Sequence, residues 1–85
     1  NYMQEDEIIV YGTDWCGHSR LVIQFLKTHG IPVIYIDIDA DPEGRTFVTK
    51  ANNGNRSVPT VVFTDGSIMV EPSTSELSQK LDIDI

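Results

Sequence analysis

An α/β fold, a mixed four-stranded sheet flanked by three helices in the order β-α-β-α-β-β-α, is predicted by three observations along this 85-residue chain. Two apolar, β-branched runs at 8–11 and 33–36 bracket a stretch whose apolar residues recur at helical spacing, the pattern of parallel strands joined by a crossover helix. Farther on, two short strand-like runs flank Asp65-Gly66, a strong hairpin signal. Ser73-Thr74-Ser75-Glu76 then forms a capping box ahead of a last helix.

The first strand, 8–11, lacks polar alternation, as expected where both faces are covered. In the first helix, 17–29, Leu21, Val22, Phe25 and Leu26 share one stripe, and Gly30 followed by Ile31-Pro32 stops it. The second strand, 33–36, also reads as buried on both faces, and Tyr11 and Tyr35 are expected in the core. Asp41-Pro42-Glu43 opens the second helix with a cap, a first-position proline and a first-turn acid. Phe47, Val48 and Ala51 form its inner face, and Asn52-Asn53-Gly54 ends it. Strands follow at 60–64 and 67–70, and Leu77 and Leu81 carry the apolar face of the last helix. A right-handed crossover makes the first two strands parallel neighbours, so Cys16 falls at the carboxyl end of the first strand, where open α/β sheets bind ligands.

Composition bounds the function. A chain of 9.5 kDa with 40% apolar residues suits one domain, 1–85, with a modest core. Residues 1–6 are expected to be flexible, and Asn1 and Tyr2, which precede the first Met, are assigned no function. One cysteine allows no internal disulfide, and no signal-like or membrane-spanning apolar run is visible, which points to the reducing cytoplasm. A net charge of −7 and only six Lys and Arg argue against nucleic acid or an anionic membrane as partner. Asp37, Asp39 and Asp41 lack the glycine and distal glutamate of a calcium loop, so no metal is expected there. His29 reads as a helix-end residue favoured by the dipole.

The chemistry should lie in Trp15-Cys16-Gly17-His18-Ser19, at the strand-to-helix junction. A thiol in the first turn of a helix faces unpaired N–H groups and the positive end of the helix dipole, both of which favour the nucleophilic thiolate. Gly17 permits close backbone approach and Trp15 can shield one side of the sulfur.

Together, the order of elements, Trp15-Cys16-Gly17-x-Ser19 and Ser57-Val58-Pro59-Thr60 resemble the glutaredoxin branch of the thioredoxin fold. Within it, Tyr11-x-Thr13-x-Trp15-Cys16-Gly17, the segment from Asn53 to Thr60 and Asp65-Gly66-Ser67 are similar to those of the mycoredoxins, the actinobacterial glutaredoxin-like proteins. The resemblance covers residues 8–81 and implies a thiol–disulfide oxidoreductase acting on S-thiolated proteins. Pro59 would be cis and face Cys16, and Val58 would offer its backbone N–H and C=O to an extended thiol substrate. The Cys16 thiolate would attack the mixed disulfide, and a second small thiol would resolve the adduct.

The chain departs from the dithiol members at Ser19, where they carry a second cysteine. A hydroxyl cannot resolve a disulfide but can donate to the thiolate and lower its pKa, so only a monothiol cycle is open. A native C-x-x-S protein and a C-x-x-C enzyme whose resolving cysteine is replaced by serine are both consistent with this. Glutathione-type members usually carry a lysine before the cysteine and Gly-Gly-x-x-Asp before the last helix. Here Gly12-Thr13-Asp14 and Glu71-Pro72-Ser73-Thr74 stand there, which favours mycothiol over glutathione as co-substrate. Arg56 and Arg20 are candidates for positive field at the sulfur, and His18, where many relatives have Tyr or Phe, for flanking the entering thiol or lowering the Cys16 pKa. The expected species is a monomer. The alternative is an iron–sulfur carrier of the Cys-Gly-Phe-Ser type, from which His18 departs.

Overall fold

Each expected element forms, although several ends and faces differ. A computed structural model describes residues 7–83, so residues 1–6, Asn1 and Tyr2 among them, and 84–85 lie outside the described residues. The order is β1 (Ile8–Gly12), α1 (Gly17–Thr28), β2 (Val33–Asp37), α2 (Pro42–Ala51), β3 (Thr60–Val62), β4 (Ile68–Val70) and α3 (Thr74–Leu81). The sheet runs β2-β1-β3-β4, with β1 parallel to β2 and antiparallel to β3, and β3 antiparallel to β4. Gly12 stands opposite Asp37 and Tyr11 opposite Thr60, so the end of β1 is flanked by β2 on one side and by β3 on the other.

Strand alternation divides the core between the two faces of the sheet. Ile8, Val10, Val61 and Phe63 pack with Val22 and Leu26 of α1 and Leu77 of α3. Tyr11 turns the other way and stacks on Phe47 of α2 at 4.8 Å between ring centroids. Burying a side chain such as Leu26 stabilises the fold by about 1.5–3 kcal/mol, and this apolar packing fixes the helices on the sheet. The caps do the rest: Asp41 accepts from the Glu43 N–H, and Ser73 and Glu76 form the expected capping box.

α2 packs so closely that a Cβ added at Gly44 would lie 2.8 Å from Ile36 Cγ2 and 3.3 Å from Tyr11 Cδ1. Gly44→Ala should therefore destabilise the protein by about 1–3 kcal/mol through overpacking, read as a lower midpoint of thermal or urea unfolding. An unchanged midpoint would show that the contact between α2 and the sheet is looser than described.

Several expectations need correction. β2 is an edge strand, half-buried rather than covered on both faces, because only β1 pairs with it. Tyr35 consequently lies at the rim, 36% exposed, and donates its hydroxyl to Asp14 Oδ1 at 2.8 Å. On α1 the buried stripe is Ser19, Val22 and Leu26, which turns Leu21 outward at 54% exposure, and on α2 Gly44 and Val48 face the sheet while Ala51 is exposed. The hairpin loop has three residues, Thr64, Asp65 and Gly66, rather than two: Phe63 N–H donates to the Ser67 carbonyl and Gly66 N–H to that of Phe63, with Gly66 at φ +88°. The boundaries also tighten, β3 ending at Val62 and β4 starting at Ile68.

Candidate active site

Cys16 is the N-cap of α1, with extended backbone (φ −86°, ψ 115°) and a half-buried side chain. The first turn of α1 contains no acidic residue, so the thiolate is the anion available to those N–H groups. The Cys16 thiol is held below its ordinary pKa, first by the Ser19 side chain and then by the backbone N–H groups of Ser19 and His18. Partial burial and the Glu71 carboxylate push the other way without prevailing. The neutral thiol makes no capping hydrogen bond of good geometry, and the Ser19 hydroxyl, fully buried, has no such partner among the described residues. The Ser19 proton is thus free for the anion that forms on Sγ, and this is why ionisation rather than the resting thiol benefits most.

Gly12, which the sequence reading did not single out, fixes Ser19. A Cβ on Gly12 would fall 2.6 Å from Ser19 Oγ and 2.8 Å from Ser19 Cβ. Only glycine at the end of β1 lets the first turn of α1 approach this closely. Thr13 is a second buried hydroxyl without a partner among the described residues, and its carbonyl accepts the Cys16 N–H at 3.3 Å.

The Val58–Pro59 peptide is cis, and Pro59 is buried at the start of β3. Neither the N–H nor the C=O of Val58 is hydrogen-bonded to another described residue. The Pro59 carbonyl accepts the N–H of Glu71, which has left-handed backbone at φ +52°. His18 Nε2 lies 2.8 Å from the Pro72 carbonyl and donates to it. The start of α1, the approach to β3 and the loop before α3 are therefore tied together around Cys16. Glu71, which carries this convergence, left no signal in the sequence beyond the absence of the glycines usual there.

Trp15 is 73% exposed, and its Nε1–H donates to Asp39 Oδ2 at 2.8 Å. Gly17, Arg20 and Arg56 are exposed, Arg56 on the loop ahead of Pro59. His29, at the end of α1, tilts against the Phe25 ring. The three aspartates in series have separate acceptor duties: Asp37 takes the Asp39 N–H, Asp41 caps α2 and Asp39 holds Trp15. Among the described residues no helix is long and apolar enough to cross a membrane, and no cluster of three metal-ligating side chains occurs. A cavity of about 330 Å³ lined by Ile8, Ile31, Phe63 and Lys80 opens at the far end of β1 from Cys16.

A thiol poised for ionisation at the N-cap of a helix, just beyond the carboxyl end of the central parallel strand of a β2-β1-β3-β4 sheet, suits a thiol–disulfide oxidoreductase of the thioredoxin fold. The glutaredoxin family model matches residues 8–68, and the chain belongs to the glutaredoxin family. It is 36% identical over 75 residues to Mycoredoxin 1 of Corynebacterium glutamicum, covering 88% of this chain and 92% of that one. Among solved structures it is similar to a mutant of a thioredoxin-like protein (TM-score 0.80, 28% identity, 91% and 96% of the two chains). It is also similar to a glutaredoxin from Archaeoglobus fulgidus (TM-score 0.71, 28% identity, 94% and 91%). The family acts on thiolated proteins with a low-molecular-weight thiol, and the activity of this chain is glutaredoxin-type thiol–disulfide exchange.

Proposed function

We propose that this chain reduces mixed disulfides between proteins and mycothiol by a monothiol cycle through Cys16. The observation that carries the reading is the pairing of a sole cysteine at the α1 N-cap with a buried serine, not a second thiol, three residues on. In the first step the Cys16 thiolate attacks the small-thiol sulfur of the mixed disulfide. The protein thiolate leaves, and a disulfide forms between Cys16 and the small thiol. In the second, the thiolate of another small-thiol molecule attacks that adduct, forms the small-thiol disulfide and regenerates the Cys16 thiolate. An extended substrate pairs with the backbone of Val58, Trp15, Gly17 and His18 frame the sulfur, and Arg56 adds positive field. On the same reading the chain works as a monomer in the cytoplasm, where thiols stay reduced.

Mycothiol over glutathione is supported by the similarity to Mycoredoxin 1 and by Asp14 and Glu71 standing where glutathione-type members place cationic and glycine-rich clamps. The test compares second-order rates on one protein conjugated to either thiol. A missing charge-assisted contact is worth about 1.5–3 kcal/mol, so mycothiol conjugates should react roughly tenfold to a hundredfold faster. Asp14→Lys should narrow the gap by attracting the glutathione carboxylates, less so at high salt. Because Asp14 also accepts from Tyr35, Asp14→Asn serves as control for the loss of charge alone. Equal rates on both conjugates, unmoved by Asp14→Lys, would refute the mycothiol assignment.

A further inference from the structure

The segment entering Cys16 is held from the β2 side by two side-chain hydrogen bonds. Tyr35 of β2 donates to Asp14, and Trp15 donates to Asp39, two residues beyond the end of β2. Asp39 is itself fixed: its N–H donates to Asp37 Oδ1 at 3.0 Å, and Arg45 of α2 donates to the neighbouring Ile38 carbonyl at 2.7 Å. The Ile38 N–H, in turn, donates to the Gly12 carbonyl at 3.0 Å, which locks this loop onto the end of β1. The chain of contacts runs from α2 through the β2–α2 loop to an indole adjacent in sequence to the reactive cysteine.

The position of that indole is unusual. A tryptophan 73% exposed contributes little to the core, yet its one polar atom is pinned in a 2.8 Å bond to a carboxylate. A rigid exposed aromatic loses little entropy when something packs on it, and indole offers a large apolar face for that purpose. Sheet order places Pro59 on the β3 side of the β1 end and Trp15 with Asp39 on the β2 side. The indole and the start of β3 thus stand on opposite sides of the β1 end, from which the chain runs into Cys16.

We propose that Asp39 is a positioning residue for the exchange reaction: it holds the Trp15 indole as a fixed wall beside Cys16, and the part of the small thiol next to its sulfur packs on that wall. This holds whichever small thiol is used, so it stands or falls separately from the mycothiol assignment.

The test follows reduction of a small-thiol mixed disulfide by wild type, Asp39→Ala, Asp39→Asn and Trp15→Ala, with both mycothiol and glutathione conjugates. Losing a hydrogen bond to a charged acceptor should raise KM roughly tenfold in Asp39→Ala, with kcat and the Cys16 titration midpoint unchanged. Asp39→Asn, which keeps an acceptor oxygen, should restore most of the wild-type KM. Trp15→Ala should match Asp39→Ala, and the double variant should be no worse than either. Trp15 is the sole tryptophan, so its fluorescence anisotropy should fall in Asp39→Ala and recover in Asp39→Asn. Wild-type KM in Asp39→Ala, or additive losses in the double variant, would overturn the proposal. A shifted thiol midpoint in Asp39→Ala would also overturn it, since Asp39 would then act on the sulfur rather than through Trp15.

Discussion

Cys16→Ser leaves a folded protein with no exchange activity, because a serine hydroxyl at the α1 N-cap can still cap the helix but cannot attack a disulfide sulfur. Far-ultraviolet circular dichroism and the unfolding midpoint should match wild type within about 1 kcal/mol, while turnover of any mixed disulfide falls to the uncatalysed rate. Residual turnover above that rate would mean that another group does the chemistry. The wild-type thiol should also show its environment in a pH titration. Its pKa is lowered, first by Ser19, so the thiolate absorbance and the rate of alkylation should have a midpoint below the roughly 8.5 of free cysteine. The sign for stability follows from the same shift. Between the folded and unfolded midpoints the unfolded chain binds the extra proton, so stability rises with pH across that window. This contribution is complete above the unfolded value and lost as pH falls through the folded one.

The order of elements, the caps and the position of Cys16 were legible because each rests on local chemistry: a capping box, a proline after Asp41, a helical stripe stopped at Gly30. What was not legible depends on which strand reaches the edge. The run 33–36 is as apolar as 8–11, yet β2 is half-buried and β1 is central, and no local pattern distinguishes an edge strand of a mixed sheet from its neighbour. Tyr35 and Leu21 lie outside the core for related reasons, one because its strand is at the edge and the other because the buried stripe of α1 is shifted in phase toward Ser19, Val22 and Leu26. At the site, Cys16, Ser19 and Pro59 carry recognisable spacing. Gly12, Asp39 and Glu71 do not, since each acts through a partner that sits on another element and that only the fold brings to it: Ser19, Trp15 and the Pro59 carbonyl respectively.

Ser19→Cys should change the course of the reaction rather than its rate alone. In the wild type, single turnover of a mixed disulfide without free thiol should stop at a one-to-one adduct on Cys16, visible by mass spectrometry, since the chain has no other cysteine. In the variant the new thiol sits at the third helical residue, the position that faces an N-cap side chain, and attacks the Cys16 sulfur of the adduct. The small thiol then leaves and an intramolecular disulfide remains. Well-oriented intramolecular reactions reach effective concentrations on the order of 10⁵ M or more, so even a poorly aligned pair should release the small thiol at least about a hundredfold faster than millimolar external thiol does. Gly12 makes room for that side chain: a Cβ there would lie 2.6 Å from Ser19 Oγ, so only the bare glycine at the end of β1 leaves space for a larger sulfur at residue 19. A variant that still accumulates the adduct would show that the residue 19 side chain does not reach the Cys16 sulfur, and the role given to the Ser19 hydroxyl would fail with it.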